Sequence, residues 1–105
     1  MNLTISARNF DLTDALKDFA EKKTAKLERF DHYLIDGHLV LEKDKATSII
    51  ELTMNVKHAT INSQVKNPDI YLGISEVVKK VERQLVKYEA RFRARKRTAM
   101  KTKRV

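Results

Sequence analysis

The sequence predicts an α+β domain in which two helices pack on one face of a four-stranded sheet, in the order β-α-β-β-β-α. Three observations carry this prediction. Short runs of alternating apolar and polar residues read as strands with one dry and one wet face. Two longer stretches space their apolar residues by three and four, as amphipathic helices do. The second of these is the clearest: Tyr71, Ile74, Val78, Val81, Leu85, Tyr88 and Phe92 form one seam that must be buried against the rest of the chain.

In chain order, Met1 to Ala7 alternates Leu3, Ile5 and Ala7 with Asn2, Thr4 and Ser6, a short strand with one apolar face. Thr13 is placed as an N-cap with Asp14 in the first turn. The helix that follows carries Leu16, Phe19, Ala20, Lys23, Leu27 and Phe30 along one side. Asp36-Gly37 reads as a turn. Three strands are expected after it: His38 to Lys43 with Leu39 and Leu41 inward, Thr47 to Val56 with Ile50, Leu52, Met54 and Val56 inward, and Ala59 to Lys66. Lys57-His58 joins the last two, Asn67-Pro68 stops the final strand, and Asp69 caps the long helix. From Asp69 to Phe92 that helix would run roughly 36 Å, so its last turns project beyond the sheet.

At 105 residues the chain is read as one domain over residues 1–94, followed by a basic tail over 95–105 expected to be disordered until it meets a partner. The net charge of +8 is unevenly placed. Residues 1–86 hold 13 Lys or Arg against 13 Asp or Glu, whereas residues 87–105 hold nine basic residues against Glu89 alone. A neutral body with a cationic end suits a polyanion, since phosphate contacts release condensed counterions. The tail cations are Arg93, Arg95, Lys96, Arg97, Lys101, Lys103 and Arg104.

Enzyme chemistry has no foothold. His32, His38 and His58 lack the spacing of a metal pair, Gly37 and Gly73 are the only glycines, and Ser75, on an exposed helix flank, has no base nearby. No metal or cofactor is therefore expected. Cysteine is absent, which rules out disulfides and thiolate metal sites. No apolar run is long enough to span a membrane, and a soluble, cytoplasmic protein is expected.

Both helices flank their apolar seams with cations: Lys22, Lys26 and Arg29 on the first, Lys80, Arg83, Lys87 and Arg91 on the second. The outward sheet positions Glu51, Thr53, Asn55, Thr60, Asn62, Gln64 and Lys66 include no aromatic residue, so base stacking on the sheet is not expected. Basic helix faces suit recognition of phosphate geometry, as in modules that bind double-stranded RNA. If the helices lie side by side, the two ridges could form one patch. Tyr71, beside Ile74 and Val78, is assigned to the core and left out of the site.

The opening N-L-T-I-S-A-R-N-F-D-L-T-D-A-L-K, the helix end A-K-L-E-R-F and above all D-I-Y-L-G-I-S-E-V-V-K-K-V-E-R-Q-L-V-K resemble the ribosome hibernation promoting factor and ribosome-associated translation inhibitor family over almost the whole chain. The resemblance implies the same β-α-β-β-β-α fold, similar to the double-stranded RNA-binding domain. It also implies binding to the small ribosomal subunit and its ribosomal RNA, in the channel between head and body where messenger and transfer RNA sit, during stationary phase or stress. Lys26 and Arg29 match basic positions of the family's first helix, and Lys80, Arg83 and Lys87 those of its last.

Together with Lys22, Lys23, Lys79 and Arg91, and with Arg8 in the loop after the first strand, these form the expected RNA-binding set. Gly73 stands where the family usually has alanine. Without an added C-terminal domain the chain is placed with the short members, as a monomer off the ribosome. Any promotion of ribosome dimers would then call for another factor, such as a ribosome modulation factor. Two other readings remain: a general structured-RNA-binding module or RNA chaperone without ribosome specificity, and a protein-interaction module whose seam beyond Leu85 pairs with another helix.

Overall fold

The computed structural model describes residues 2–103, with side chains described through Arg95. Met1 of the expected first strand, the tail side chains of Lys96, Arg97, Lys101 and Lys103, and Arg104 lie outside the described residues. The elements are β1 (Leu3–Arg8), α1 (Asp14–Thr24), a 3-10 helix (Ala25–Phe30), β2 (Leu34–Asp44), β3 (Thr47–Val56), β4 (Ala59–Asn67) and α2 (Ile70–Lys103). The predicted order holds. The sheet runs β1-β2-β3-β4, with β1 parallel to β2 and the other neighbours antiparallel.

Strict alternation builds the core. Along β3 every second residue is buried, and Ile50, Leu52, Met54 and Val56 meet Leu39 and Leu41 of β2 and Ile61 and Val65 of β4 on one side. Leu16 and Ala20 of α1, Leu27 and Phe30 of the 3-10 helix, and Ile74, Val77, Val78, Val81 and Leu85 of α2 close over them. Each fully buried aliphatic side chain contributes about 1.5–3 kcal/mol relative to exposure. The opposite face is wet and cross-linked by polar pairs: Asn55 donates to Asp36 at 2.6 Å, Thr60 donates to Asn55 at 3.1 Å, and Asn62 donates to Thr53 at 2.8 Å.

Both helix starts follow their capping signals. The Leu16 amide donates to Thr13 Oγ1 at 3.2 Å, and Asp69 Oδ1 accepts from the Tyr71 amide at 2.9 Å. Lys57-His58 is the β3–β4 turn, with His58 in the left-handed region at φ 66°.

Four expectations need correction. Asp36-Gly37 is no turn but the interior of β2, which begins at Leu34 after a turn at residues 31–33. A β-carbon on Gly37 would press on Met54 Sδ at 2.6 Å, so the glycine serves close strand packing rather than chain reversal. The register shifts between Leu34 and Asp36, which leaves Ile35 exposed. Arg8 ends β1, opposite Glu42, instead of lying in a loop.

The first helix stops being α-helical at Thr24. Its buried hydroxyl donates to the Ala20 carbonyl at 2.8 Å and to that of Glu21 at 3.1 Å, a back-bonding that bends helices. The tighter 3-10 winding places residues three apart in line, so Thr24, Leu27 and Phe30 are all buried and Lys26 and Arg29 are both exposed.

Finally, α2 is continuous to Lys103, so the backbone of residues 95–103 is helical where disorder was expected. Lys, Arg, Ala and Met extend a helix readily once its nucleus is fixed by packing. The projecting rod makes the molecule 60 Å long, with a radius of gyration of 16.2 Å, against about 13 Å for a compact domain of this size.

Candidate nucleic-acid interface

The rotation of α2 about its axis decides where its cations point, and two contacts fix it. On one flank Gln84 Nε2 donates to Ser63 Oγ at 3.0 Å and to the Asn62 carbonyl at 3.2 Å, so that flank faces β4. On the other, Tyr71 meets Phe19 of α1 edge-on, with ring centroids 4.9 Å apart. Lys80 stands four residues before Gln84, Lys87 three after and Arg91 seven after. These three cations therefore share the outer flank, above the β4 edge. Lys79 and Arg83, four apart, occupy the crest of the helix between the two flanks. All five side chains are exposed.

On α1, Lys22 and Lys23 follow Phe19 by three and four residues, on the side nearer α2. Lys22, Lys26 and Arg29 are exposed. Lys23 is half-buried, its ammonium 5.5 Å from the Phe19 ring centroid, and the Arg29 guanidinium lies 4.5 Å from that of Phe30. The two ridges thus do not face each other across a groove. They form an arc over the helical side of the molecule, from the top of α1 across the crest of α2 to its outer flank. Arg8 does not join it: it shares the alternation of Ser6, whose hydroxyl hydrogen-bonds His38 on the wet face of the sheet.

Tyr71 also differs from expectation. It packs on Phe19 yet remains 40% exposed, while Ile70 and Val77 take the buried places beside Ile74.

Charge along the arc is uncompensated. Among the described residues none of Lys22, Lys26, Lys79, Lys80, Arg83 or Lys87 is in an ion pair. Glu76, four before Lys80, is held instead by the Asn67 amide at 2.8 Å. Like charges recur at four-residue spacing, from Lys79 to Arg83 to Lys87 to Arg91, and each such pair costs about 0.2–0.5 kcal/mol in an isolated helix. A surface that keeps this cost without internal partners leaves its cations open to an external anion. Among the described residues no group of His, Cys, Asp and Glu could hold a metal ion, and no helix is long and apolar enough to cross a membrane.

The sequence profile of the family described as Sigma 54 modulation protein / S30EA ribosomal protein matches residues 3–93. The chain belongs to this family. Among S30EA relatives, the ribosome hibernation promoting factor of Salmonella typhimurium is 30% identical over 93 residues, 89% of this chain and 98% of that protein. That of Azotobacter vinelandii is 32% identical over 89 residues, 85% and 83% of the two chains. The ribosome hibernation promotion factor of Bacillus subtilis is 36% identical over 95 residues, but the match spans only 50% of that longer protein. Two solved structures share the S30EA fold. A ribosomal subunit interface protein from Coxiella burnetii superposes with a TM-score of 0.80 at 26% identity, covering 86% of this chain and 99% of that one. The N-terminal domain of Protein Y from Thermus thermophilus gives 0.78 at 26% identity, covering 84% and 99%.

Proposed function

We propose that this protein is a ribosome hibernation factor. It binds the small ribosomal subunit in the channel for messenger and transfer RNA and holds idle ribosomes inactive under stress or in stationary phase. The observation that carries the proposal is the exposed, unpaired row Lys79, Lys80, Arg83 and Lys87 on a helix of a chain whose relatives include ribosome hibernation promoting factors. Side chains on the helical arc engage phosphates of ribosomal RNA, positioning the protein by backbone shape rather than by reading bases on the sheet. Its action is steric and electrostatic, without a catalytic step. Residues 1–94 are the ribosome-binding domain, residues 95–105 extend its cationic surface, and the place of action is the cytoplasm.

The test is co-sedimentation of the purified protein with small subunits and whole ribosomes across a salt series, alongside a variant carrying Lys80→Glu, Arg83→Glu and Lys87→Glu. Stoichiometric binding that competes with messenger and initiator transfer RNA, and that the triple variant loses, is the expected result. Equal, non-stoichiometric binding to any RNA would replace this reading with a general polyanion binder.

A further inference from the structure

Between the β3–β4 turn and the projecting part of α2 lies a cleft of about 590 Å³. Its size falls within the range of small-ligand sites, about 300–1,000 Å³. One wall is the turn, with Lys57 and His58; the other is one side of α2, with Tyr88, Arg91, Phe92 and Arg95. The Tyr88 hydroxyl donates to the Lys57 carbonyl at 2.6 Å and pins the turn to the helix. Beneath, the buried Tyr33 ring meets Tyr88 and Phe92 edge-on, with centroids 5.5 and 5.2 Å away, so both half-buried rings are braced in place.

We infer that this cleft receives one unpaired nucleotide of a bound RNA, its base against Tyr88 and Phe92 and its flanking phosphates on Lys57, Arg91 and Arg95. The inference rests on the RNA-binding reading above and adds a stacking site to it. Three features select this occupant. An aromatic floor, its two rings 6.0 Å apart and inclined at 39°, suits a base, which stacks on aromatic side chains in sequence-tolerant fashion. The rim is cationic, and among the described residues no carboxylate lines the cleft. The third is continuity: the Lys80, Lys87 and Arg91 row runs along the flank of α2 into the cleft, so an RNA backbone following that row arrives at the floor. An acidic peptide would satisfy the rim but leave the aromatic floor without a partner.

The experiment uses the full chain and an RNA hairpin carrying a single unpaired 2-aminopurine nucleotide, whose fluorescence falls on stacking. The same hairpin fully paired, and free 2-aminopurine ribonucleoside monophosphate, are compared in parallel. The chain contains no tryptophan to interfere. The expected result is quenching with the bulged hairpin alone, accompanied by shifts of the Tyr88 and Phe92 ring protons. Phe92→Ala should abolish the quenching and weaken binding of that hairpin roughly tenfold. Arg95→Gln, at an exposed position that leaves the floor intact, should weaken it severalfold and lower the salt slope by about one.

Indifference of the bulged hairpin to both substitutions overturns the inference while leaving the ribosome reading intact. Equal affinity for the free monophosphate overturns RNA as the source. If the parent protein does not sediment with small subunits, the ribosome reading falls on its own account, whatever the hairpin does.

Discussion

Gln84 on α2 and Ser63 on β4 are joined by a 3.0 Å hydrogen bond, and with the Phe19–Tyr71 contact on the other flank that bond sets which way the cationic flank of the helix looks. A helix buried by an apolar seam can still roll by a fraction of a turn, because hydrophobic contact is not directional. The amide of Gln84, donating also to the Asn62 carbonyl, removes that freedom and holds Lys80, Lys87 and Arg91 over the β4 edge. Replacing Gln84 with Ala removes two partly exposed hydrogen bonds and should cost about 1 kcal/mol. Thermal unfolding would register a drop of about 4–8 °C for a domain of this size. Small-subunit affinity should fall further than the change in folded fraction explains.

Gly73 is tolerated in the first turns of α2 because the helix passes close to β3. A β-carbon there would clash with the terminal methyl of Ile50, which is fully buried. Gly73→Ala should gain about 0.5–1 kcal/mol of helix propensity and lose about 1–3 kcal/mol to overpacking, a net destabilisation. The double variant Gly73→Ala with Ile50→Val deletes the clashing methyl. In denaturant titrations it should be more stable than the sum of the two single effects; simple additivity would refute the contact as the cause.

Arg83 sits four residues from both Lys79 and Lys87. Arg83→Gln should therefore raise stability slightly at low salt, by about 0.2–0.5 kcal/mol for each repulsion relieved, and leave it unchanged at high salt. The same substitution should weaken ribosome binding and reduce its salt dependence by about one phosphate. Opposite signs for stability and binding are what a surface held ready for an external anion predicts.

Burial pushes the Tyr88 phenol above the ordinary tyrosine value, aided by Tyr33 and opposed by Arg95. The fold thus prefers the neutral ring. Its contribution is complete below the ordinary value, about 10, and fades as pH rises through the higher folded-state value. Tyr88→Phe should flatten this part of the alkaline stability loss and remove one phenolate that titrates above the ordinary value from the absorbance titration; an unchanged titration would refute the raised value at Tyr88.

Most of the architecture was legible because its signals were periodic and local. The alternation through Ile50, Leu52, Met54 and Val56 could fit nothing but a half-buried strand, and Thr13 and Asp69 announced the helices they cap. Where residues carried two meanings, sequence reading chose the commoner one. Gly37 looked like a turn but makes room for Met54. The three-residue spacing of Thr24, Leu27 and Phe30 was the signature of a 3-10 segment, yet it also fits an α-helical stripe.

The β2–β3 turn at Lys45-Ala46 carried no glycine or asparagine, although Lys45 adopts a positive φ of 56°. The basic residues themselves were visible, but their arc was not. Its shape depends on how far α2 is rolled, which Gln84 settles by a contact across 21 residues of chain. The cleft beside Phe92 needed both the hairpin tip and the projecting helix, and only the tertiary structure brings Lys57 to Tyr88.

The parallel pairing of β1 with β2 joins Leu3 to Gly37, 34 residues further on, whereas the β2–β3 and β3–β4 turns each close over two residues. Distant closures form more slowly than local ones. During synthesis the first strand therefore waits: it has no hydrogen-bonding neighbour until β2 emerges. Its apolar side chains Leu3 and Ile5 wait longer, for the core that α2 completes. The strand made earliest is the one that locks latest, and pulse-labelled hydrogen exchange should find the amides of β1 protected after those of β3.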